Sequence, residues 1–310
     1  MYRYRWLKWL AISIGAITVL ACASLYGFSL YTLKKGFSHR VQKLAATPAT
    51  YGLQGETISL TSLDGIPLKA WWVPAQEKRA RGVIVLLHGM DGMDASTMLG
   101  HATFLHDAGY AALSLDMRAH GRSGGKRIGS SVEEPRDVMA ALDWLKLRPD
   151  TAGVPVTLLG ISMGGATALR TAALRSDVAA VISVSAFCSV MQAMHEVFDH
   201  SGMPKPVVTV LMPFLQLALA TLYGVWPATL STLDDIDRIP PRPILIAHGT
   251  GDDQISVENA YRLARAAGNQ VQLWIVKGAG HGIYVGDVTD PANAEYREHI
   301  LEFLDGVSAR

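Results

Sequence analysis

Apolar residues are distributed along this chain in three patterns, and each predicts a different kind of element. Near the start, Trp9 to Leu33 is an uncharged run of 25 residues dominated by Leu, Ile, Ala and Val. Further on, Glu56–Thr61 and Pro67–Val73 read as two strands joined by a turn at Asp64-Gly65, a hairpin signal. After that, short runs such as Val83-Ile84-Val85-Leu86-Leu87 are apolar at every position. Such runs suit strands covered on both faces, as in a parallel sheet flanked by helices. Strands are predicted at Gly82–Leu87, Ala111–Asp116, Val156–Leu159, Ala179–Val184, Pro243–Ala247 and Val271–Val276. Helices are predicted at Ser96–Ala108, Glu133–Leu147, Gly164–Arg175, Val257–Ala267 and Pro291–Leu304. The alternation predicts an α/β fold with a doubly wound, mostly parallel sheet.

One segment interrupts the alternation. Ser189–Leu233 lies between two core strands, is rich in Met, Leu, Pro and aromatics, and carries no charge from Pro206 onward. A single membrane crossing there would put Ser162 and everything after Asp234 on opposite sides and split the sheet. Pro206, Pro213 and Pro227 are also expected to break it into short helices. The expected element is therefore a helical cap insertion of about residues 189–233 over the carboxyl edge of the sheet, near enough to touch a membrane surface. The alternative is a buried insertion with no part in substrate choice.

Crossing a hydrocarbon core takes about 20 apolar residues, so the N-terminal run is long enough for a transmembrane helix. Trp6, Trp9, Tyr26 and Tyr31 stand towards its ends, where amphipathic rings prefer the interface. Ala21-Cys22-Ala23 resembles a cleavage site, and Val19-Leu20-Ala21-Cys22 loosely resembles a lipidation site. Apolar residues nevertheless continue ten positions beyond Ala23, further than a signal-peptide core of about 7–15 residues. The reading adopted is an uncleaved signal-anchor at residues 1–33, a basic-then-polar linker at 34–54, and a catalytic domain at 55–310. A short basic tail ahead of a first span favours a cytoplasmic N-terminus and an extracytoplasmic domain, although Lys34, Lys35, Arg40 and Lys43 nearly balance Arg3, Arg5 and Lys8. The lipid bilayer is thus the expected partner of the N-terminal helix, in a single-pass cell-membrane protein.

Composition removes several function classes. A formal net charge of +1 over 310 residues offers no field for nucleic acid. Ten histidines are spread without metal-ligand spacing, and neither H-E-x-x-H nor a C-x-x-C pair occurs. Nucleotide-binding glycine motifs are absent as well. Cys22 and Cys188 lie in the N-terminal segment and deep in the body respectively, so a disulfide between them is not expected.

Against that background Gly160-Ile161-Ser162-Met163-Gly164-Gly165 stands out, because an apolar strand precedes it and a helix-prone run follows. A sharp strand-to-helix turn holds the central Ser in a strained conformation with its Oγ exposed, and side chains at the glycines would collide with the neighbouring strand and helix. Ser162 then needs a base, and the base an orienting acid. His248-Gly249-Thr250-Gly251-Asp252-Asp253 and Gly278-Ala279-Gly280-His281-Gly282 follow the last two strands. Loops at strand carboxyl ends gather along one edge of a parallel sheet, so residues 119 positions apart can meet. His281 is the candidate base and Asp252 the candidate acid, with Asp253 the rival. Met163 N–H and Met90 N–H, the latter in His88-Gly89-Met90-Asp91-Gly92, are the candidate oxyanion donors. His88 is expected to brace its loop. Asp116 and Arg118 are expected to pair and fix theirs, with His120 and Ser123 capping it. His195 and His200 have no evident partner.

These motifs, in the order His88-Gly89, Asp116-x-Arg118-x-His120-Gly121-x-Ser123, Ser162, Asp252 and His281, resemble the α/β-hydrolase superfamily over about residues 55–306. Leu68-Lys69-Ala70-Trp71-Trp72, the Ser-Met-Gly-Gly elbow and Ser185-Ala186-Phe187 make the chain similar to bacterial membrane-anchored serine hydrolases of the BEM46 and YqkD type. The resemblance implies hydrolysis of a carboxylic ester or related acyl bond, with no metal and no organic cofactor. The apolar cap favours a small hydrophobic ester or acyl substrate. A peptidase or acyltransferase of the same fold is the alternative, and a non-catalytic binding protein a more distant one.

Overall fold

Strands form where the apolar runs predict them, and their burial follows from their place in one sheet. The computed structural model describes residues 4–38, 46–77, 79–90, 92–227 and 231–308. Eight strands, β1 (Glu56–Thr61), β2 (Pro67–Val73), β3 (Val83–Leu87), β4 (Ala111–Asp116), β5 (Val156–Ile161), β6 (Ala180–Val184), β7 (Ile244–Gly249) and β8 (Val271–Val276), lie in the order β1-β2-β4-β3-β5-β6-β7-β8. β2 runs antiparallel to β1 and β4, and every later pairing is parallel. The hairpin β1–β2 turns through Gly65 at φ 84°.

Consecutive residues of β3 face opposite sides. Val83, Val85 and Leu87 join one apolar cluster, while Ile84 and Leu86 join the other. The first cluster is closed by α3 (Pro135–Lys146), α4 (Met163–Leu174) and α8 (Glu258–Ala267). The second is closed by α2 (Leu99–Asp107) and α9 (Ala294–Ser308). Both faces being covered explains why β3 reads as an unbroken apolar run.

The N-terminal run forms α1, Arg5–Gly36, a helix of 32 residues that is long and apolar enough to cross a membrane. Of the expected linker 34–54, Lys34 to Gly36 complete this helix, a short 3-10 helix occupies Pro48–Tyr51, and residues 39–45 lie outside those described. The insertion after β6 holds α5 (Val190–His200), α6 (Lys205–Tyr223) and the one-turn α7 (Thr232–Asp235).

Here one expectation is corrected. Pro213 does not divide the segment, and α6 runs through it for 19 residues. Pro206 falls in the first turn, where its missing N–H is not needed. Pro213 lies on the exposed side of α6, away from the residues that pack the helix onto the protein, so the lost backbone bond leaves that packing intact. Length and composition alone would let α6 span a membrane, but Val208, Leu211, Leu215, Ala218 and Leu219 are buried against the rest of the protein.

Candidate active site

Ser162 stands between β5 and α4 at φ 56° and ψ −118°, a left-handed conformation that costs a non-glycine residue on the order of 1–3 kcal/mol. The strain persists because both sides of the turn are pinned. Ser162 N–H donates to Val184 O of β6 at 2.8 Å and Ser162 O accepts Ala166 N–H at 3.0 Å. Gly164 lies so close to the end of β3 that a Cβ there would collide with the carbonyl oxygens of Leu87 and His88. The glycine is required by close approach, as the motif predicts.

Asp252 and His281 come together from the loops after β7 and β8. Asp252 Oδ2 lies 2.8 Å from His281 Nδ1 and its side chain is fully buried. Thr250 N–H donates to Val276 O and Gly251 N–H to Ala279 O, so backbone bonds tie the two loops together. Gly249 makes this approach possible, since any side chain there would meet the carbonyl of Ala279. Asp252 Oδ1 also accepts the N–H groups of Gln254 and Ile255, each at 2.9 Å. Burial by itself would raise the Asp252 pKa. Hydrogen bonds from His248, His281 and the Ile255 backbone outweigh it and hold the carboxylate well below the usual aspartate range. Asp252 is thus an anion hydrogen-bonded to the His281 ring.

His248, buried on β7, reaches the same carboxylate oxygen at 3.0 Å through Nε2 and lies 2.9 Å from Ile255 O. Sequence reasoning placed His248 in the motif without assigning it this second contact. A histidine four positions before the acid, at a strand end, was the available signal. Asp253, the rival acid, is exposed at the cavity edge.

Ser162, His281, Met90 and Met163 all line one cavity of about 660 Å³. No hydrogen bond joins Ser162 Oγ to His281, a contact that in hydrolases is often long until substrate is bound. The loop after β3 lies directly behind the serine: a Cβ built on Gly89 would stand 3.5 Å from Ser162 Cβ. Met90 N–H and Met163 N–H have no partner among the described residues, which leaves both available to an oxyanion. Asp91 lies outside the described residues.

His88 braces this loop. Its Nδ1 donates to Gly89 O at 2.6 Å and its Nε2 accepts Met117 N–H at 3.1 Å. Complete burial lowers its pKa to about 4, so it stays neutral.

The expected Asp116–Arg118 pair is not formed. Asp116 accepts from Arg122 Nε at 2.9 Å and from Ala95 N–H at 2.7 Å. Arg118 instead binds Asp137 of α3 at 2.7 Å and Asp64 of the hairpin turn at 2.8 Å. Ala119 at φ 58° and Gly121 at φ 50° reverse the chain. Arg122 returns to Asp116 and Arg118 reaches the neighbouring elements. Ser123 and His120 do orient the loop, through Asp116 O and Arg118 O. His195 and His200, which had no evident partner, are met by Asp199 at 3.2 Å and Glu196 O at 2.8 Å.

The cap closes over the cavity with α5. Val190, Met194 and Phe198 line it, and Glu196 on the same helix accepts from Ser256 N–H and from Asn259 Nδ2. That bond set joins the cap to the loop carrying Asp252. The last turns of α1 also reach the cavity through Thr32, Leu33, Gly36 and Phe37, a wall the sequence did not suggest.

A doubly wound sheet with a serine elbow and an acid–histidine pair at its carboxyl edge defines an α/β hydrolase. Residues 78–233 match the family described as "Serine aminopeptidase, S33", and the chain belongs to that family. It is 24% identical to YqkD of Bacillus subtilis, over 97% of this chain and 99% of that one. It is 22% identical to bem46 of Schizosaccharomyces pombe, over 80% and 77% of the two chains. Among solved structures, the Pyrococcus furiosus esterase Pf2001 superposes with a TM-score of 0.69 at 22% identity, covering 87% of this chain and 97% of that one.

Proposed function

We propose that this hydrolase is a serine esterase that cleaves carboxylic esters with an apolar acyl part, held at the membrane by α1 as an uncleaved anchor. The carrying observation is the strained Ser162 sharing one mostly apolar cavity with His281, whose other nitrogen is bound to the buried Asp252 anion. With Nδ1–H given to Asp252, the imidazole presents Nε2 as a base. Ser162 Oγ attacks the ester carbonyl carbon while its proton passes to Nε2. The oxyanion takes hydrogen bonds from Met90 N–H and Met163 N–H. The C–O bond then breaks, and the alcohol leaves with the proton from His281. Water, deprotonated by His281, attacks the acyl-enzyme and releases the carboxylic acid, and the proton returns to Ser162. Asp252 holds the ring orientation and stabilises its cationic form.

The family description favours a second reading, an aminopeptidase. Asp253 is the sole carboxylate lining the cavity among the described residues, and it is the group a substrate ammonium would meet. Turnover of aminoacyl p-nitroanilides above that of p-nitrophenyl butyrate would select this reading.

The test is covalent labelling of the full-length protein by a fluorophosphonate, beside its Ser162→Ala variant. Wild-type protein is expected to label and to hydrolyse p-nitrophenyl butyrate, and the variant to do neither. Folded wild-type protein that fails to label overturns the esterase reading.

A further inference from the structure

The N-terminal helix changes character along its length. From Tyr4 to Ser24 every position is exposed, and the uncharged stretch Trp9 to Leu33 is longer than the about 20 residues a bilayer core needs. From Leu25 onward a covered stripe appears at Leu25, Tyr26, Ser29, Leu30, Leu33 and Phe37, the i, i+3, i+4 spacing of one helix face. That stripe packs along α6, where Tyr26 hydroxyl and Thr221 hydroxyl stand 2.9 Å apart and the rings of Phe37 and Tyr223 meet edge to face. A segment that only tethered a domain would not be built into it.

Two further observations concern where this junction lies. Lys34 and Lys35 are exposed at the end of α1, and basic residues bordering an apolar span mark the level of the lipid headgroups. Thr32, Leu33, Gly36 and Phe37, which bracket those lysines, line the cavity that holds Ser162 and His281. The outward face of α6 is also unlike that of a water-facing helix. Val207, Val210 and Leu217 are about half exposed, and no charged residue follows Lys205 in the helix. A solvated surface helix carries charges there. α6 packs beside α1, and an uncharged, apolar exposed face on a helix joined to the span commits that face to lipid.

The geometry points to a site fed from the bilayer. The last turns of α1 form one wall of the acyl cavity, α6 rests in the membrane interface beside them, and the substrate is an amphiphilic acyl ester resident in the membrane. This rests on the esterase and anchor readings above. α1 is then a specificity element as well as a tether, and the cavity lies at the depth where a lipid ester bond resides.

The experiment compares the full-length protein, reconstituted in phosphatidylcholine vesicles, on monooleoylglycerol carried in the vesicles and on soluble p-nitrophenyl butyrate. The triple variant Val207→Glu/Val210→Glu/Leu217→Glu changes only the outward face of α6. It is expected to keep butyrate turnover within about twofold and to lose at least tenfold on the vesicle-borne ester. A second variant, Gly36→Trp, fills the cavity from α1 and is expected to lower the oleoyl-to-butyryl ratio of kcat/KM at least tenfold. An unchanged ratio in both variants overturns the inference. So does a triple variant whose vesicle-ester turnover stays intact while its oligomeric state in detergent changes, because the α6 face would then be a protein interface. Should wild-type protein hydrolyse butyrate but not the vesicle-borne ester, bilayer feeding fails while the esterase reading stands. Should it hydrolyse neither and take no fluorophosphonate, the esterase reading itself fails.

Discussion

Two sets of residues enclose the cavity at Ser162. Its floor consists of the loops that leave β3, β5, β7 and β8, and there the backbone is packed against backbone. Ser162 is held at positive φ, Gly164 is pressed on the end of β3, and Gly249 is pressed on the loop of His281. Its roof consists of α5 and the last turns of α1, with α6 behind them, and there apolar side chains meet apolar side chains. The difference shows how tightly each is specified. A floor position admits one residue type because geometry forbids the others. A roof position admits any apolar residue of suitable volume.

The largest effect expected from this contrast falls on Asp252. Asp252→Asn keeps the size of the side chain but gives His281 a group that can donate as well as accept, so the ring loses the tautomer that serves the serine. kcat for p-nitrophenyl butyrate is expected to fall by about 10³–10⁴. Asp253→Asn, at the exposed rim, is expected to change it by less than about threefold. A fall of less than tenfold in Asp252→Asn, or equal falls in both, would mean that the acid has been assigned to the wrong carboxylate.

Stability should show the same contrast on a smaller scale. Gly164→Ala forces its new methyl group into the Leu87 and His88 carbonyls, and rigid strand ends cannot yield. A loss of at least about 3 kcal/mol is expected in denaturant unfolding, together with loss of fluorophosphonate labelling. Val210→Ala, on the open face of α6, should stay within about 0.5 kcal/mol. Equal losses would show that floor and roof are constrained alike.

The contrast also explains what was legible in the sequence. β1, β2, β4 and β8 begin and end where the pattern places them: β4 is buried along its whole length and reads as a nearly continuous apolar run, whereas β1 and β2 are marked by alternation and by the turn at Asp64-Gly65 between them. Ser162, Asp252 and His281 stood out because their glycine neighbours carry a geometric signature, and the structure brings Asp252 and His281 into contact. The Arg118 partners were missed because the choice among Asp64, Asp116 and Asp137 depends on how one turn reverses, which no spacing rule encodes. Pro213 misled because a proline on the open side of a helix is tolerated when packing on the other side holds the helix together. The α1 wall was not visible either, since Leu33 and Phe37 look the same whether they face lipid or substrate.

Besides the Glu196 bonds of α5, the roof is joined to the loop that follows β4, and there a buried acid makes the join sensitive to pH. Ile128 N–H donates to Phe37 O of α1 at 2.7 Å, Tyr223 of α6 donates to Ile128 O, and Arg127 donates to Leu222 O. Beneath these contacts Gly129 N–H donates to Oε1 of Glu134, while Oε2 has no hydrogen-bond partner among the described residues. Burial, reinforced by the neighbouring Asp137 carboxylate and only partly opposed by Arg118, lifts the Glu134 pKa from 4.5 to about 7. Between those values the folded protein holds a proton that the unfolded chain has lost, so stability falls as pH rises through this window. Its contribution is complete below about pH 4.5 and is lost above about pH 7. Glu134→Gln keeps the acceptor for Gly129 and removes the titration. The unfolding free energy of wild-type protein relative to the variant is therefore expected to drop by about 2 kcal/mol from pH 5 to pH 8. Parallel profiles for the two proteins would mean that the carboxyl is ionised throughout, and that this join is held by the Phe37, Leu222 and Tyr223 contacts alone.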